Sequence, residues 1–136
     1  METRRPPVIV VDTNVVAYFI LPGPWSGSAR ALFVKDPDWT APALWRSEFR
    51  NLLAGYLRRS LLTLGDAFDM HRKAQSAITD SVEVNSDLVL ELVSASRCSA
   101  YDCEFVALAL ELEVPLVTAD RQLLDAFPRI AVPFAD

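Results

Sequence analysis

The chain has 136 residues, of which 51% are apolar and 23% charged, and its net charge at neutral pH is −5. This balance is typical of a globular domain, and it argues against a disordered chain or a broad basic surface for nucleic acid. No apolar run approaches the roughly 20 residues that span a bilayer, and the N-terminal segment with Arg4 and Arg5 lacks a signal-peptide cleavage site. Cys98 and Cys103 lack metal-ligand spacing. We therefore expect free thiols and a cytoplasmic protein that has no membrane partner.

Along the chain, short apolar runs alternate with stretches of helical periodicity. The runs rich in β-branched residues predict strands over 7–11, 39–41, 81–84, 115–118 and 130–132. Apolar spacing, N-cap residues and proline breaks predict helices over 15–20, 26–34, 44–59, 66–78, 87–96, 99–112 and 121–126. Alternating strands and helices predict an α/β fold with a mostly parallel sheet, in one domain that spans residues 1–136.

Two acidic residues follow buried strands. Asp12 comes directly after the first predicted strand, and Asp120 comes two residues after Thr118 at the end of the fourth. Ligands bind at the carboxyl ends of strands in open α/β sheets, so we expect both carboxylates at the site. Each residue also precedes a helix, so an N-cap role is an equally good interpretation, and the two roles are compatible.

Glu48 lies a full turn inside its predicted helix, where it cannot be an N-cap. Leu44 and Leu52, four residues to either side, put it at the border of the apolar stripe of that helix. A carboxylate held against apolar surface is costly unless it is paired or bound to a metal. The sequence leaves open a metal ligand and a salt bridge, for instance to Arg59.

Asp102 also has two interpretations. Its spacing from Ser99 resembles a capping box, although glutamate or glutamine is the usual fourth residue of that motif. On a helical wheel it shares an edge with Val106 and Ala109, whereas Glu104 falls on the opposite side. This position indicates that Asp102 leans toward the core and not toward water.

Taken together, the four acids Asp12, Glu48, Asp102 and Asp120 suggest a carboxylate cage. Converging carboxylates raise each other's pKa unless a cation neutralises them. Hard oxygen ligands without cysteine or histidine favour Mg²⁺ or Mn²⁺ over zinc. Such ions bind phosphate oxygens and activate water for phosphodiester cleavage.

These residues resemble the sequence motifs of PIN-domain proteins, most closely the VapC-type toxins of bacterial toxin–antitoxin pairs. The motifs are, in chain order, Val11-Asp12-Thr13-Asn14-Val15, Trp45-x-x-Glu48-x-x-Asn51, Ser99-Ala100-Tyr101-Asp102 leading into Ala107-Leu108-Ala109, and Leu116-Val117-Thr118-Ala119-Asp120. Each motif is weak alone, because a strand that ends in aspartate is common. Their order within a chain of this length makes the resemblance strong, and it covers nearly the whole chain.

The resemblance implies a three-layer α/β/α fold with a mostly parallel sheet of about five strands. It implies that the same four acids ligate Mg²⁺ or Mn²⁺, orient the attacking water and are the catalytic residues. Thr13, Asn14 and Thr118 match polar positions around that site, where they would supply supporting hydrogen bonds. Family members hydrolyse single-stranded RNA segments, often in tRNA or ribosomal RNA, and leave a 3′-hydroxyl. They usually form homodimers and are silenced by a cognate antitoxin protein.

Three other functions compete with a metal-dependent endoribonuclease. Haloacid-dehalogenase phosphatases need a second aspartate two residues after the first, where this chain has Asn14. Response-regulator receivers need a lysine after a later strand, and Arg121 is a poor substitute. The third alternative is a non-catalytic PIN-like module that binds RNA or protein, which would usually have lost one of the acids.

Several other residues suggest functions that have equally simple structural explanations. The single histidine, His71, is expected to be exposed to solvent. Trp25 and Trp39 could stack on bases but are expected to close the core. Asp125 could be a further acid of the kind that some PIN-domain proteins carry near the last one, or equally a surface residue, and it is left out of the site. The basic residues of the central helices suggest a rim for phosphates, an antitoxin contact or solvated faces, and they are Arg46, Arg50, Arg58, Arg59, Arg72 and Lys73. Core or dimer-face positions are expected for Leu44, Trp45 and Phe49.

Overall fold

The computed structural model describes residues 7–135, apart from the side chain of Asp80. Arg4 and Arg5, noted in the sequence, lie outside the described residues. Within residues 7–135 the polypeptide forms an alternating series of strands and helices, in the order expected from the sequence.

In the part of the chain that the structure describes, five strands form one parallel sheet. They are β1 (Ile9–Val11), β2 (Trp39–Pro42), β3 (Ile78–Val82), β4 (Leu116–Thr118) and β5 (Ala131–Pro133). Their order in the sheet is β3-β2-β1-β4-β5, and all four neighbouring pairs are parallel. The structure thus confirms the predicted parallel sheet of about five strands. The two strands that precede Asp12 and Asp120 are β1 and β4, which are direct neighbours.

Seven helices connect the strands in the described part of the chain. They are α1 (Thr13–Ile20), α2 (Ser26–Lys35), α3 (Leu44–Arg58), α4 (Leu64–Ala77), α5 (Ser86–Ser94), α6 (Ala100–Leu112) and α7 (Arg121–Ala126). From β1 the chain adds β2 and then β3 on one side, and it returns past β1 to add β4 and β5 on the other. Because parallel crossovers are right-handed, this reversal puts α1–α4 on one face and α5–α7 on the other. The result is the predicted three-layer α/β/α fold.

The core is built around the central strands and the helices that cover them. All residues of β1 and β4 are buried, and so is the α6 segment from Phe105 to Ala109. Trp39 is fully buried, and its ring meets those of Phe19 and Phe33 edge-on, each at a centroid distance of 5.1 Å. Full burial of one such side chain contributes roughly 1.5–3 kcal/mol. Trp39 therefore closes the core, as expected, and cannot stack on a base.

The inner side of α3 follows the predicted apolar stripe with one exception. Trp45, Phe49 and Leu53 are buried, so the first two are core residues and not part of a dimer face. Leu44 is half-buried. Leu52 is 40% exposed. The prediction that Leu52 belongs to the buried side is therefore wrong, because the α3 stripe is narrower than the sequence suggested.

Two predicted element boundaries are also wrong. The helix expected to start at residue 66 begins at Leu64, because Thr63 and Asp66 exchange the two hydrogen bonds of a capping box, each 3.1 Å long. The strand expected at 81–84 is β3, which begins at Ile78. Helix α4 ends at Ala77, so helix and strand follow each other without a turn residue that would mark the change.

His71 is not the solvated residue that the sequence suggested. Its ring is half-buried on α4, with its centroid 6.2 Å from that of Trp45 and 6.1 Å from that of Phe49. Burial lowers its pKa, and the charges of Arg50 and Arg46 lower it further. His71 is therefore a packing residue between α3 and α4.

The structure bears on two general expectations from composition. Cys98 and Cys103 are both buried and free, as predicted. Among residues 7–135, no helix combines the length and the apolar character that crossing a bilayer requires.

Candidate active site

Asp12 lies where β1 ends and α1 begins, and each of its carboxylate oxygens accepts a hydrogen bond. Oδ1 accepts from the backbone N–H of Thr13 at 2.8 Å, which makes Asp12 the N-cap of α1. Oδ2 accepts from the Thr118 hydroxyl at 2.7 Å and from the Asn14 amide at 3.4 Å. Asp12 is therefore both the N-cap of α1 and a residue at the carboxyl end of β1.

Burial dominates the electrostatics of Asp12. The residue is only 6% exposed, and burial raises its pKa to about 6 from 3.8. The hydrogen bonds from Thr118 and Thr13 lower the pKa, whereas the charges of Asp102 and Glu48 raise it. Neutral donors orient the ionised carboxylate without compensating its charge.

Glu48 reaches the same region from α3. Its Oε1 accepts a hydrogen bond from the Thr13 hydroxyl at 2.7 Å, so the residue after Asp12 links β1 to α3. Burial raises the pKa of Glu48, the Thr13 hydroxyl lowers it, and the charges of Asp102 and Glu104 raise it again. The salt bridge considered from the sequence is not formed: Arg59 instead lies over the Tyr56 ring, with its Cζ 4.9 Å from the ring centroid.

Asp120 is connected to Asp12 through Thr118. The Thr118 hydroxyl donates to Asp12 and accepts from the backbone N–H of Asp120 at 3.0 Å. Asp120 is half-buried and caps α7, where its Oδ1 accepts from the backbone N–H of Gln122 at 2.9 Å. Asn14 adds a second link between β1 and β4, because its Oδ1 accepts from the backbone N–H of Ala119 at 3.4 Å.

Asp102 lies in the first turn of α6, which Ser99 caps by accepting from the Asp102 backbone N–H at 3.0 Å. Its side chain is half-buried, whereas Val106 and Ala109 on the same edge are buried. Burial raises the pKa of Asp102, and the charge of Asp120 raises it further. Asp102 therefore lies at the edge of the buried face of α6 and not in the core, where the helical wheel had pointed it.

Electrostatic interactions connect the four acids through Asp102, and among the described residues none of the four forms an ion pair with a basic side chain. Asp102 interacts with each of the other three, and Asp12 interacts with Glu48. The one ion pair formed within residues 7–135 joins Arg72 and Asp69 on the exposed face of α4. Negative charge therefore accumulates at the carboxyl ends of β1 and β4.

The donor set suits a hard divalent cation in an open site. All four side chains offer carboxylate oxygen, which Mg²⁺ and Mn²⁺ prefer, and the hydroxyls of Thr13 and Thr118 already orient two of them. Across the described residues, however, no three acid, histidine or cysteine side chains converge closely enough to hold an ion by themselves. A closed carboxylate cage is therefore not present. Mg²⁺ usually keeps several water ligands. These residues therefore fit an ion whose coordination shell is completed by water molecules.

One acid near the site was not found from the sequence. Glu104, placed on the opposite side of its helix by the wheel, is half-buried, and its charge raises the pKa of Glu48. The wheel describes α6 alone, whereas Glu48 belongs to α3, so no local pattern could have paired them. Asp125, left out of the site, is exposed.

Comparisons with known proteins agree with this fold and with the ribonuclease resemblance. Ribonuclease VapC3 of Pyrobaculum aerophilum is 28% identical over 130 residues, which make up 92% of this chain and 98% of that protein. The crystal structure of FitAcB from Neisseria gonorrhoeae matches the fold with a TM-score of 0.71 at 17% identity, covering 90% of this chain and 95% of that chain. The family profile of the PIN domain matches residues 9–131. Because this match spans almost the whole chain, the protein belongs to the PIN domain family.

Proposed function

We propose that this PIN-domain protein is a divalent-metal-dependent endoribonuclease. The observation that carries the proposal is the buried Asp12 carboxylate, which lies in range of two further acids and has only neutral hydrogen-bond donors. An uncompensated buried charge is costly, so a cluster of this kind is expected to have a purpose. Similarity to ribonuclease VapC3 supports RNA as the substrate.

In this proposal, Asp12, Glu48, Asp102 and Asp120 hold Mg²⁺ or Mn²⁺ and are the catalytic residues. A divalent ion bound there supplies water activation and neutralises charge that develops on the phosphate. Thr13 and Thr118 keep two of the carboxylates oriented through their hydroxyl groups. Such supporting bonds fix ligand geometry in metal sites generally.

The proposed reaction is hydrolysis of an RNA phosphodiester. The oxygen of water forms the new bond to phosphorus, and the bond between phosphorus and the ribose 3′ oxygen breaks. The 3′ oxygen takes a proton, so the products carry a 3′-hydroxyl and a 5′-phosphate. The carboxylates orient the water, and the half-buried positions of Glu48 and Asp102 leave the site open to a polymer.

We further propose that the protein is the toxin of a type II toxin–antitoxin pair. In this view it acts in the cytoplasm as a homodimer and is silenced by a cognate antitoxin. Support comes from its motifs and from its similarity to ribonuclease VapC3 over 98% of the length of that protein. If a short protein is encoded beside this chain, co-expression with it tests this part, since relief of growth arrest and co-purification are both expected.

Cleavage of labelled RNA by the purified chain tests the enzymatic proposal. We expect cutting in Mn²⁺ or Mg²⁺, none in EDTA, and a loss of at least about a hundredfold in Asp12→Asn, since even supporting residues cost 10–100-fold. Asp69→Asn, a change on the exposed face of α4, is the matched control. Products that end in a 2′,3′-cyclic phosphate would identify a contaminating nuclease instead.

A non-catalytic PIN-like module that binds RNA or protein is the second candidate. It predicts RNA binding without cleavage, and no Mn²⁺ affinity that depends on the four acids. All four acids are present, which favours the nuclease. Cutting that persists in both EDTA and Asp12→Asn would refute the metal-dependent mechanism.

A further inference from the structure

Three aromatic rings, of which Trp25 is exposed and the other two are half-buried, form a cluster near the acidic site. Tyr18 on α1, Trp25 before α2 and Phe134 after β5 have ring centroids 5.3–6.3 Å apart. We call these three side chains the aromatic wall. Trp25 is 46% exposed, unlike Trp39 and Trp45, which are buried. An aromatic residue that merely closes a core would be covered, so the wall presents ring surface to a ligand.

Two clefts share rings of the wall, and each is lined by a residue that hydrogen-bonds to Asp12. The first cleft, of about 290 Å³, is bounded by Tyr18 and Trp25 together with Asn14 and Tyr56. The second, of about 360 Å³, shares the same two rings and is bounded by Thr118 and Ala119. Asn14 and Thr118 both donate to Asp12, so each cleft begins one side chain away from the central carboxylate.

Arginines lie near both clefts. The Arg59 guanidinium lies over the ring of Tyr56, which lines the first cleft, with its Cζ 4.9 Å from the ring centroid. Arg121, the first residue of α7, lines the second. Positive charge beside these clefts complements a polyanion, with phosphates at the arginines and bases against the rings.

We propose that the aromatic wall holds unstacked bases of single-stranded RNA on either side of the phosphate that is cut. This inference rests on the proposed nuclease function and adds a substrate-positioning surface to it. Base faces are hidden in a duplex and free in a single strand, so the wall would select unpaired RNA. Stacking is tolerant of sequence, so the wall contributes affinity more than base preference.

Trp25→Ala tests this surface directly. The probe is a fluorescein-labelled single-stranded RNA of about 12 nucleotides, within the usual range of single-strand sites. It is titrated in the Asp12→Asn background so that it is not cut. We expect Kd to rise by about tenfold for Trp25→Ala, in line with the stacking of one base. Trp25→Phe should restore most of the affinity. Phe68→Ala, which removes a 52% exposed ring on α4, is the matched control and should leave Kd for the probe unchanged.

Two further measurements separate stacking from a structural effect. Trp25 is the exposed tryptophan, whereas Trp39 and Trp45 are buried, so RNA should quench the fluorescence of Trp25 and leave that of the other two unchanged. An abasic version of the probe should bind the Asp12→Asn protein about tenfold more weakly than the intact probe does. Adding Trp25→Ala should not weaken the binding of the abasic probe any further. If Trp25→Ala binds the intact probe as tightly as the protein that retains Trp25, the inference is wrong. The aromatic wall would then be a candidate surface for a protein partner.

Cleavage measured in parallel keeps the two proposals apart. If the wild-type chain cuts RNA in Mn²⁺ and Trp25→Ala cuts it with the same KM, the wall proposal is wrong and the nuclease stands. If the wild-type chain does not cut RNA, the nuclease proposal is wrong. For a substrate-positioning wall, Trp25→Ala should raise KM about tenfold and retain the Mn²⁺ requirement.

Discussion

Replacing Asp12 by asparagine is expected to stabilise the metal-free protein and to abolish its response to Mn²⁺. Asparagine has nearly the same shape, and its carbonyl oxygen still accepts from the Thr13 backbone. The Thr118 hydroxyl, which now donates to Oδ2, can turn to accept from the new amide. The substitution therefore removes one buried charge while most of the hydrogen bonding is kept.

The size of the effect follows from the pKa of Asp12. In the folded chain it is about 6, against 3.8 for an unburied aspartate. A raised carboxyl pKa means that the folded state binds the proton more tightly than the unfolded state does. Stability is therefore lost as pH rises from about 3.8 to about 6, and the loss is complete above that range. At 1.36 kcal/mol for each pH unit, ionised Asp12 costs about 3 kcal/mol at neutral pH.

Thermal unfolding at pH 7.5 and at pH 3.5 measures this cost. In EDTA at pH 7.5, Asp12→Asn should unfold roughly 10 °C above the wild type, and the difference should shrink toward zero at pH 3.5. Mn²⁺ should raise the unfolding temperature of the wild type but not that of the variant. Asp69→Asn, whose carboxylate is exposed, should match the wild type throughout. A variant that is no more stable at pH 7.5, or whose advantage is the same at both pH values, would refute the reasoning.

Three further predictions follow from individual contacts. Thr13→Val removes the hydroxyl that donates to Glu48 at 2.7 Å, so Mn²⁺-dependent cleavage in a gel assay should fall about tenfold, in line with loss of a hydrogen bond to a charged group. Asp120→Asn should lose cleavage in the same assay, whereas Asp125→Asn, on an exposed residue of α7, should retain it. Phe49→Ala should lower the free energy of unfolding in urea by about 3–5 kcal/mol, since the ring is fully buried.

The strand-end acids could be predicted because the cause is local. A β-branched run marks each buried strand, and the residue that follows must lie at the carboxyl edge of the sheet. Asp12 and Asp120 therefore come close together once β1 and β4 are neighbours. Glu48 was recognised for a different reason, since it lies at the border of an apolar stripe where a charge needs an explanation.

The remaining features depend on contacts between distant segments. The Glu104–Glu48 interaction joins α6 and α3, and His71 is covered only because α4 packs on α3. The aromatic wall collects rings from residues 18, 25 and 134, which share no periodicity. The distances between the four acidic side chains also depend on how distant segments pack together. The sequence therefore suggested a closed carboxylate cage, whereas the structure has an open cluster.

The acidic site and the aromatic wall have opposite consequences for RNA affinity. A phosphate that approaches Asp12 and Asp120 without a cation meets like charge, so the carboxylates by themselves oppose binding. Favourable contacts must then come from outside the acidic cluster, where rings and arginines lie along the two neighbouring clefts. In the proposed nuclease, the wall would hold the strand across the site, and the divalent ion would make the acidic centre accept the phosphate. The charge cluster that destabilises the metal-free fold would thus also discourage RNA from occupying the site unproductively.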